Sequence, residues 1–499
     1  MSLTRRDFLK LSGAALGSAS LGATGLSTLQ WSRAQPQVAL QDPALHLLRR
    51  TSFGQSPVSR ARFSELGPEA FLAEQLEPSA LKDEAADAFL QKHPALNADE
   101  MTMRRANKDG ALVGPALQLR LLRALYSERQ LFERTVDVWN DHFNVPIRGY
   151  VPERILMDRE VVRPHAFGRF RDLLHATARS SAVLRYLDNA SSDKANPNEN
   201  YARELLELHT LGVTGPYTED DVQDVARAFT GWTLNDSWPG RFYFDADKHD
   251  TNEKTVLGVT MSAGRGIEDG LQVLDLLAHH PATARFVSWR FARHFVSDEV
   301  PEDLLESSTQ TFLETQGDIR ALLRHIFTSE AFAASAGQKF RRPFEYTAAL
   351  LRSFGPALEL RNPELLNRWL KSMGQQPYHW LPPSGYPDVA DAWLNSNGLL
   401  NRWNLALFLP RVYREGVKGA HLDLASLLPS PEGDTVASLI DRAADQFLAT
   451  PLTDEDRAEL VYLVSDYADP AQPVTEALRR ERLPSLLGLL LASPYMQWT

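Results

Sequence analysis

The densest group of chemically reactive side chains lies in residues 196–213, where asparagine, glutamate, arginine and histidine follow one another. On a helical wheel Glu204 shares one row with Asn200 and Glu207, so two carboxylates stand one turn apart. Such carboxylates repel each other unless a proton or a cation lies between them. This arrangement is typical of acid–base and ligand-binding groups, and Glu204 is therefore the first candidate catalytic residue.

A second row on the same helix supports a structural interpretation. Glu199, Arg203 and Glu207 recur at four-residue spacing and can form ion pairs along the helix. His209 follows Glu204 by five positions, about 140° around an ideal α-helix. The segment therefore lacks the spacing that places the ligands of a helical metalloprotease on one face. Three roles of this helix remain open: structural support, acid–base chemistry and metal ligation.

Two further polar groups stand at predicted helix ends. His142 follows an acidic residue at the end of an amphipathic helix, where it is either a proton-transfer group or a cap stabilised by the helix dipole. Asp188 ends the helix that precedes residues 196–213, and aspartate at such a position commonly makes loop hydrogen bonds.

A histidine, a carboxylate and an ammonium group occur together in residues 248–258. His249, Asp250 and Lys254 lie in a segment without regular periodicity, so helix packing does not require them. The alternative is an ordinary solvated turn.

Taken together, these residues predict one polar cavity where the helix from Asn198 to His209 meets the other segments. Glu204 is the predicted acid or base, and His142 or His249 is its proton partner. The predicted ligand-binding residues share polar or charged side chains in the same segments and are Asn198, Asn200, Arg203, Asp188, Asp250 and Lys254. Arg203 or Lys254 would bind an anion or a developing negative charge.

Composition excludes several classes of site. The 499-residue chain has no cysteine, which excludes disulfides, thiolate zinc sites, cysteine-ligated iron–sulfur clusters, covalent haem and a catalytic thiol. The cofactor is otherwise unknown, and a divalent metal held by histidine and carboxylate ligands stays open. The formal net charge of −11 and the absence of a basic stripe argue against a nucleic-acid partner.

The amino-terminal residues predict export. Arg5 and Arg6 precede an uncharged run rich in glycine, alanine, serine and leucine, which is typical of a twin-arginine signal peptide spanning residues 1–34. The predicted location is therefore the periplasm or the cell exterior. No later run is apolar enough for a transmembrane span, and residues 486–492 are expected to form a buried helix instead.

Helical periodicity dominates the remainder of the chain, which predicts an all-α fold. The expected architecture is a large, irregular multi-helix bundle with long inserted loops and at most a short β-hairpin. The predicted organisation is a main helical domain (35–421), a linker-like stretch (422–435) and a packed carboxy-terminal helical segment (436–499). Two irregular segments, 235–262 and the proline-rich 374–386, interrupt the helices and are expected to carry function.

These motifs, in this order, resemble the bacterial domain-of-unknown-function 1800 family from about residue 40 to the carboxy terminus. The matching pieces include LLRRTSFG (47–54), WNDHF (139–143), YLDN (186–189), PNENYARELLELHTLG (197–212), YTEDDV (217–222), AFTGW (228–232) and PPSGYP (382–387). The resemblance implies an exported protein, often encoded beside a member of the domain-of-unknown-function 1501 family, and it implies no particular activity.

Two classes of function remain open. One is an acid–base or hydrolase-like enzyme that acts on an extracytoplasmic ligand. The other is a non-catalytic accessory or scaffold partner of a co-exported protein. A solvent-connected pocket at Glu204, His142 and His249 favours the enzyme, whereas a sealed network of satisfied polar groups favours the scaffold.

Overall fold

The computed structural model describes residues 43–235, 240–360, 364–415, 420–466 and 469–499. The predicted signal, residues 1–34, lies outside these described residues. The helices of the first half are α1 (Pro43–Thr51), α2 (Pro57–Gln75), α3 (Glu84–Lys92), α4 (Glu100–Ala106), α5 (Val113–Tyr126), α6 (Gln130–His142), α7 (Val151–Leu156), α8 (Arg163–His165), α9 (Phe170–Ala178), α10 (Ser181–Tyr186), α11 (Glu199–Glu204) and α12 (Glu219–Ala228).

Helices continue to the carboxy terminus. They are α13 (Glu268–Ala278), α14 (Pro281–Phe295), α15 (Glu302–Glu314), α16 (Ile319–Phe327), α17 (Glu330–Ala334), α18 (Pro343–Phe354), α19 (Glu364–Ser372), α20 (Ala390–Trp393), α21 (Ser396–Glu415), α22 (Leu424–Leu427), α23 (Val436–Leu448), α24 (Asp454–Val464), α25 (Glu476–Ala492) and α26 (Pro494–Gln497). The predicted all-α fold is confirmed.

Strands are short and few in the described ranges. They are β1 (Trp232–Leu234), β2 (Phe242–Phe244), β3 (Lys254–Val256), β4 (Val259–Met261), β5 (Leu358–Leu360) and β6 (Ala420–Leu422). They pair antiparallel as β1–β2, β3–β4 and β5–β6. The sequence predicts at most a short β-hairpin, whereas the described residues form three two-stranded sheets, among them the pairing of β1 with β2.

The described residues divide into two compact units. The first contains those up to Phe71 together with Ser335–Gln375 and Val389–Thr499. Its long helices α21 and α25 pack against each other, and Gly488 allows the contact because a Cβ there would lie 2.7 Å from Leu407 Cδ2. The leucines at the end of α25 are buried, which confirms the predicted carboxy-terminal core helix.

A short helix lies in residues 422–435, the stretch before α23 that the sequence treats as linker-like. Strand β6 ends at Leu422, and α22 follows it directly. The carboxylate of Asp434 then accepts hydrogen bonds of 2.6 and 2.8 Å from Arg442 on α23. This stretch therefore makes specific contacts inside the first unit.

The second unit contains Leu72–Ala334 and the proline-rich segment Gln376–Asp388. Trp139 lies near the centre of its aromatic core, with ring centroids 5.0 Å from Phe291 and 5.8 Å from Phe170. The Trp139 indole donates a hydrogen bond of 3.1 Å to the Ala166 carbonyl, so its only polar atom is satisfied in the core. All the predicted site residues belong to this unit.

Two π-helical turns interrupt the α-helical hydrogen bonding of the second unit. Met157–Val162 continues α7, and Leu205–Thr210 continues α11. Such turns are rare and occur frequently at functional sites. The second of them lies in the segment that the sequence singles out for its polar residues.

A capping box precedes α12. The Thr218 hydroxyl accepts a hydrogen bond from the Asp221 amide at 3.2 Å, and the Asp221 carboxylate accepts from the Thr218 amide at 2.8 Å. This capping box fixes the start of the helix that follows the candidate site.

None of the helices among the described residues is both long enough and apolar enough to cross a membrane.

Candidate functional site

Asn198 begins the helix that carries the candidate site. Its Oδ1 accepts a hydrogen bond of 3.1 Å from the Tyr201 amide, and its Nδ2 donates one of 2.8 Å to the Leu187 carbonyl. The side chain is therefore the N-cap of α11 and also ties the helix to the end of α10. Both polar atoms of the side-chain amide are therefore used in positioning the backbone.

The π turn changes the geometry expected for the end of this helix. The Leu211 amide donates to the Leu206 carbonyl at 2.8 Å, a bond across five residues instead of four. The angle of 140° between Glu204 and His209 assumed an ideal α-helix and does not apply here. His209 is buried, whereas Glu204 and Glu207 are half-buried at the surface of the unit.

Glu204 is the most distinctive carboxyl group of this surface. Its side chain makes no hydrogen bond to any other residue of the described structure. Burial, followed by repulsion from Glu207, raises the pKa of Glu204 above its ordinary value, and Arg203 only partly opposes this effect. A carboxyl group of this kind retains a proton to higher pH than a solvated glutamate.

Arg203 does not neutralise Glu204, because its guanidinium group is held elsewhere. Its two terminal nitrogens donate hydrogen bonds of 2.9 and 2.7 Å to Glu219 of α12. Glu207 lies 3.7 Å away in a longer ion pair. The predicted row of ion pairs along the helix is thus replaced mainly by a contact to the next helix.

Two phenol groups complete this half-buried surface. Burial and then the charge of Glu204 raise the pKa of Tyr186 to about 12, and its hydroxyl donates to the Leu381 carbonyl at 2.5 Å. On the other side, burial and a hydrogen bond with Glu207 raise the pKa of Tyr217 to about 12. Both phenols are therefore protonated at neutral pH.

The proline-rich segment lies beside this surface. Asn144 Nδ2 donates hydrogen bonds of 2.9 Å to the Trp380 carbonyl and 2.7 Å to the Pro382 carbonyl. Gly385 lies against the backbone of the last turn of α6, with the Asp141 carbonyl occupying the place of a side chain. The segment is consequently fixed to the end of α6 and to Tyr186.

His142 lies in the core and not at this surface. Its Nε2 is 3.0 Å from the His209 carbonyl, and its ring packs against Trp139 and Phe143. Burial, with a smaller effect of the Arg290 charge, places the pKa of His142 well below its ordinary value. The same causes lower the pKa of His209 to about 3, so both imidazoles are neutral at physiological pH.

His249 and Lys254 belong to a buried network around Asp269 of α13. Lys254 Nζ donates to Asp269 Oδ2 at 2.8 Å and to the Asn252 carbonyl at 2.9 Å, and it also bonds the Asp250 carbonyl. His249 Nε2 lies 3.4 Å from the same Asp269 oxygen. The side chains of Lys254, Asp269 and His249 are at most 1% exposed.

Asp250 extends this network to α12. Although burial favours its neutral form, hydrogen bonds from Arg227 and the Asn252 amide lower the pKa of Asp250 to about 2. The Arg227 bond measures 2.8 Å, and the Thr230 hydroxyl accepts from the Asp250 amide at 2.8 Å. The network joins the irregular segment after β2 to α12 and α13.

The remaining predicted ligand-binding residues are exposed. Asp188 adopts a left-handed backbone conformation with φ of 58°, and its carboxylate makes no hydrogen bond in the described structure. Asn200 stands on the outer face of α11 and likewise makes none. The described residues also contain no group of three histidine or acidic side chains arranged to hold a metal ion.

The structure thus separates the three predicted catalytic residues. Neither His142 nor His249 forms a hydrogen bond or ion pair with Glu204, and both imidazoles are buried. Glu204 instead has Tyr186 and Glu207 as its electrostatic neighbours.

Sequence reasoning did not select several residues that define these clusters. Tyr186 is part of the YLDN motif, so its place next to Asp188 was a usable signal. Asp269 is one of two acids in the first turn of an amphipathic helix, where such residues are common because they interact favourably with the helix dipole. Nothing in the sequence marks it as the partner of Lys254.

The fold and this surface define a mostly α-helical protein with a half-buried acidic group on a π-bulged helix. The chain belongs to the family described as protein of unknown function (DUF1800), whose model matches residues 46–498. A comparison with curated proteins found no match. A comparison with solved structures also found none.

The raised pKa of Glu204 predicts a specific effect on stability. Between the ordinary pKa and the raised one, the folded state binds more protons, so this group stabilises less as pH rises. Glu204→Gln should therefore unfold at higher urea concentration than the parent at pH 7 and lose this advantage below pH 4. We expect a gain below about 1 kcal/mol because water screens a half-exposed pair. A parent-like midpoint at pH 7 would contradict the assignment.

Proposed function

We propose that this chain is an exported protein with an acid–base site on α11, in which Glu204 transfers a proton to or from an extracytoplasmic ligand. The observation that supports this best is the half-buried Glu204 carboxyl group, which has a raised pKa and no hydrogen-bond partner. A group in this state is free to bond a ligand and holds a transferable proton closer to neutral pH.

The neighbouring residues have distinct roles in the proposal. Burial, followed by the negative charge of Glu207, favours the protonated form of Glu204 by raising its pKa. Tyr186, whose hydroxyl is anchored to the Leu381 carbonyl, forms the wall next to Glu204. His142 and His249 have no part in the proposed proton transfer, because both are buried and neither bonds Glu204. Their role in the proposal is to position the core.

The acid–base role is tested with the purified chain and two readouts. A panel of ester, glycoside and amide substrates gives the rate, and carboxyl NMR of carbon-13-labelled glutamate gives the pKa of Glu204. Glu204→Gln should lower any detected turnover by about 10²–10⁴-fold. The matched control is Glu199→Gln on the same helix, where the carboxylate is exposed and makes no hydrogen bond.

Two results would overturn this role. One is an ordinary pKa for Glu204 in the NMR titration, because the proposed proton carrier would then be missing. The other is turnover that Glu204→Gln leaves as high as Glu199→Gln does. Either result counts against the site even when the chain proves to be exported.

Export is a separate part of the proposal and rests on Arg5 and Arg6 ahead of the apolar run. The full-length chain should appear in the periplasmic fraction of its host. Replacing both arginines by lysine should retain the chain in the cytoplasm, whereas the same replacement at Arg104 and Arg105 should not. Equal export of the two variants would remove the twin-arginine assignment.

A scaffold function is the second candidate, and the network of His249, Lys254 and Asp269 favours it. These side chains are sealed and largely satisfied by one another, as expected of polar groups that specify packing. In this case the chain would support a co-exported protein of the domain-of-unknown-function 1501 family. Recovery of that protein with the tagged chain, unaffected by Glu204→Gln, would favour the scaffold over the enzyme.

A further inference from the structure

A small cavity in the second unit lies apart from the residues discussed above. It has a volume of about 40 Å³, which exceeds the room that one water molecule needs. Elements α3, α5, α7, the first π turn and the proline-rich segment line it. One of its lining residues, Asn97, is exposed, so the cavity reaches solvent there.

The lining combines an apolar wall with a cationic one. Its apolar side chains are those of Leu90, Leu96, Ala116, Leu119, Ile147 and Ile155. Its charged side chains are four arginines, Arg120, Arg123, Arg154 and Arg159, and one carboxylate, Asp158. Counted over the lining side chains alone, the formal charge is therefore positive by three.

Among the residues that line this cavity, Arg154 has the most buried donor atoms without a hydrogen-bond partner. It is 1% exposed, and its Nε and Nη1 have no hydrogen-bond partner within the described structure. Its Nη2 donates to Asn140, and its guanidinium carbon lies 4.6 Å from the centre of the Tyr378 ring. Two buried donors on one cation are expected to have an acceptor when the site is occupied.

The carboxylate of Asp158 does not supply that acceptor. Its oxygens lie 3.8 Å from Arg154 and 3.6 Å from Arg123, beyond hydrogen-bond reach of either. They accept hydrogen bonds instead from Asn140 at 2.9 Å and Tyr378 at 3.3 Å. Asp158 thus neutralises part of the positive charge of the cavity wall, and Nε and Nη1 of Arg154 still lack an acceptor.

The other nearby acids pair with arginines of this wall or with Arg163. Asp137 bonds Arg120 at 2.5 Å, and Glu160 bonds Arg159 at 2.5 Å. Glu133, which is fully buried, bonds Arg163 and lies 3.5 Å from Arg120. Asp83 forms a 3.5 Å ion pair with Arg123. None of these four acids lines the cavity, so they offset the charge of the arginines without occupying the cavity itself.

Tyr378 shows that the fold holds this wall in a fixed position. It adopts a φ of 60°, which is costly for a residue with a bulky side chain. A hydrogen bond of 2.7 Å from the Ile147 amide to its carbonyl holds it there. The strained conformation places its ring over Arg154.

We propose that this cavity binds the carboxylate group of a small organic monoanion with a short apolar chain. The carboxylate accepts hydrogen bonds from Arg154, with Arg123 providing further positive charge, and the chain contacts the leucine and isoleucine wall. The apolar wall disfavours inorganic phosphate, whose oxygens all require polar partners. The cationic wall disfavours an amine of the same size. This site is independent of the role proposed for Glu204.

Calorimetric titration of the full chain tests the proposal with three probes of matched ionic strength: sodium butyrate, butylammonium chloride and sodium phosphate. We expect butyrate to bind with one site per chain and at least tenfold more tightly than either other probe. Arg154→Met should weaken butyrate binding by tenfold or more. The control Arg105→Met alters an exposed arginine that makes no hydrogen bond, and it should leave binding unchanged.

A second variant keeps the test decisive if Arg154→Met fails to fold. Ala116→Leu enlarges a lining side chain without altering any charge, and it should also weaken butyrate binding tenfold or more. The proposal is overturned if phosphate or butylammonium binds as tightly as butyrate, if butyrate does not bind, or if Ala116→Leu binds it like the parent. In the last case butyrate occupies another place on the chain.

Discussion

Asp269→Asn is expected to lower the free energy of unfolding by about 3–5 kcal/mol, the range for breaking a buried ion pair. The Lys254 ammonium is fully buried and bonds Asp269 at 2.8 Å, so the substitution leaves it without its countercharge. Arg265, which forms a 3.0 Å ion pair with the other Asp269 oxygen, loses its partner as well. Urea unfolding at pH 7 measures the change.

A double-mutant cycle separates this effect from a general loss of packing. Lys254→Met removes the stranded ammonium, so the double variant with Asp269→Asn should lose less stability than the two single changes add up to. We expect a coupling energy of about 2 kcal/mol for residues in direct contact. The control Glu268→Gln changes an exposed neighbouring acid and should alter stability by less than about 0.5 kcal/mol.

The cycle also decides how His249 and Lys254 should be understood. Additive losses would mean that the network is not cooperative, which contradicts the scaffold interpretation of these residues. A strong coupling together with unchanged ligand turnover would assign them to folding. His249 and Lys254, which the sequence predicts to be functional residues, would then specify the packing of α12 and α13.

The fold class could be predicted because it depends on periodicity. Apolar residues at helical spacing identify α6 and α14, and the capping box at Thr218 locates the start of α12. These signals are local in sequence, so no tertiary information is needed to read them. The three small sheets were harder, because strands of three residues are too short to show alternation.

The candidate site could be predicted only in part. Glu204 was recognisable because its neighbour Glu207 is one turn away. The π turn that follows it was not, since its i, i+5 bonding has no strong sequence signature. His249 and Lys254 were recognised as reactive types, but their burial depends on Asp269, which lies 15 or more positions later and carries no distinguishing signal.

A second large loss of folding stability is expected from substitution of Gly385, in the proline-rich segment. Gly385 has a φ of 72°, and a Cβ there would lie 2.0 Å from the Asp141 carbonyl oxygen and 2.7 Å from its carbon. Gly385→Ala should therefore lower the free energy of unfolding by about 3 kcal/mol or more. The left-handed conformation accounts for about 1–2 kcal/mol of this loss. Displacement of the segment also breaks the two hydrogen bonds from Asn144, which contribute about 1 kcal/mol each.

Gly258→Ala is the matched control for that substitution. Gly258 has a similar φ of 78°, but a Cβ there meets nothing within 4 Å. Gly258→Ala should therefore lower the free energy of unfolding only by the cost of the left-handed backbone conformation, about 1 kcal/mol. Equal losses at the two positions would contradict the close contact between the proline-rich segment and α6.

Gly385→Ala also connects the fold to the proposed function. Displacement of the segment releases the Leu381 carbonyl from Tyr186, and Tyr186 is the phenol whose pKa the Glu204 charge raises. Water then reaches Glu204 more freely, so its pKa should fall toward the ordinary value in the same NMR titration. Gly258→Ala should leave that pKa unchanged. A loss of stability without any change at Glu204 would mean that the segment supports the fold and does not shape the acid–base site.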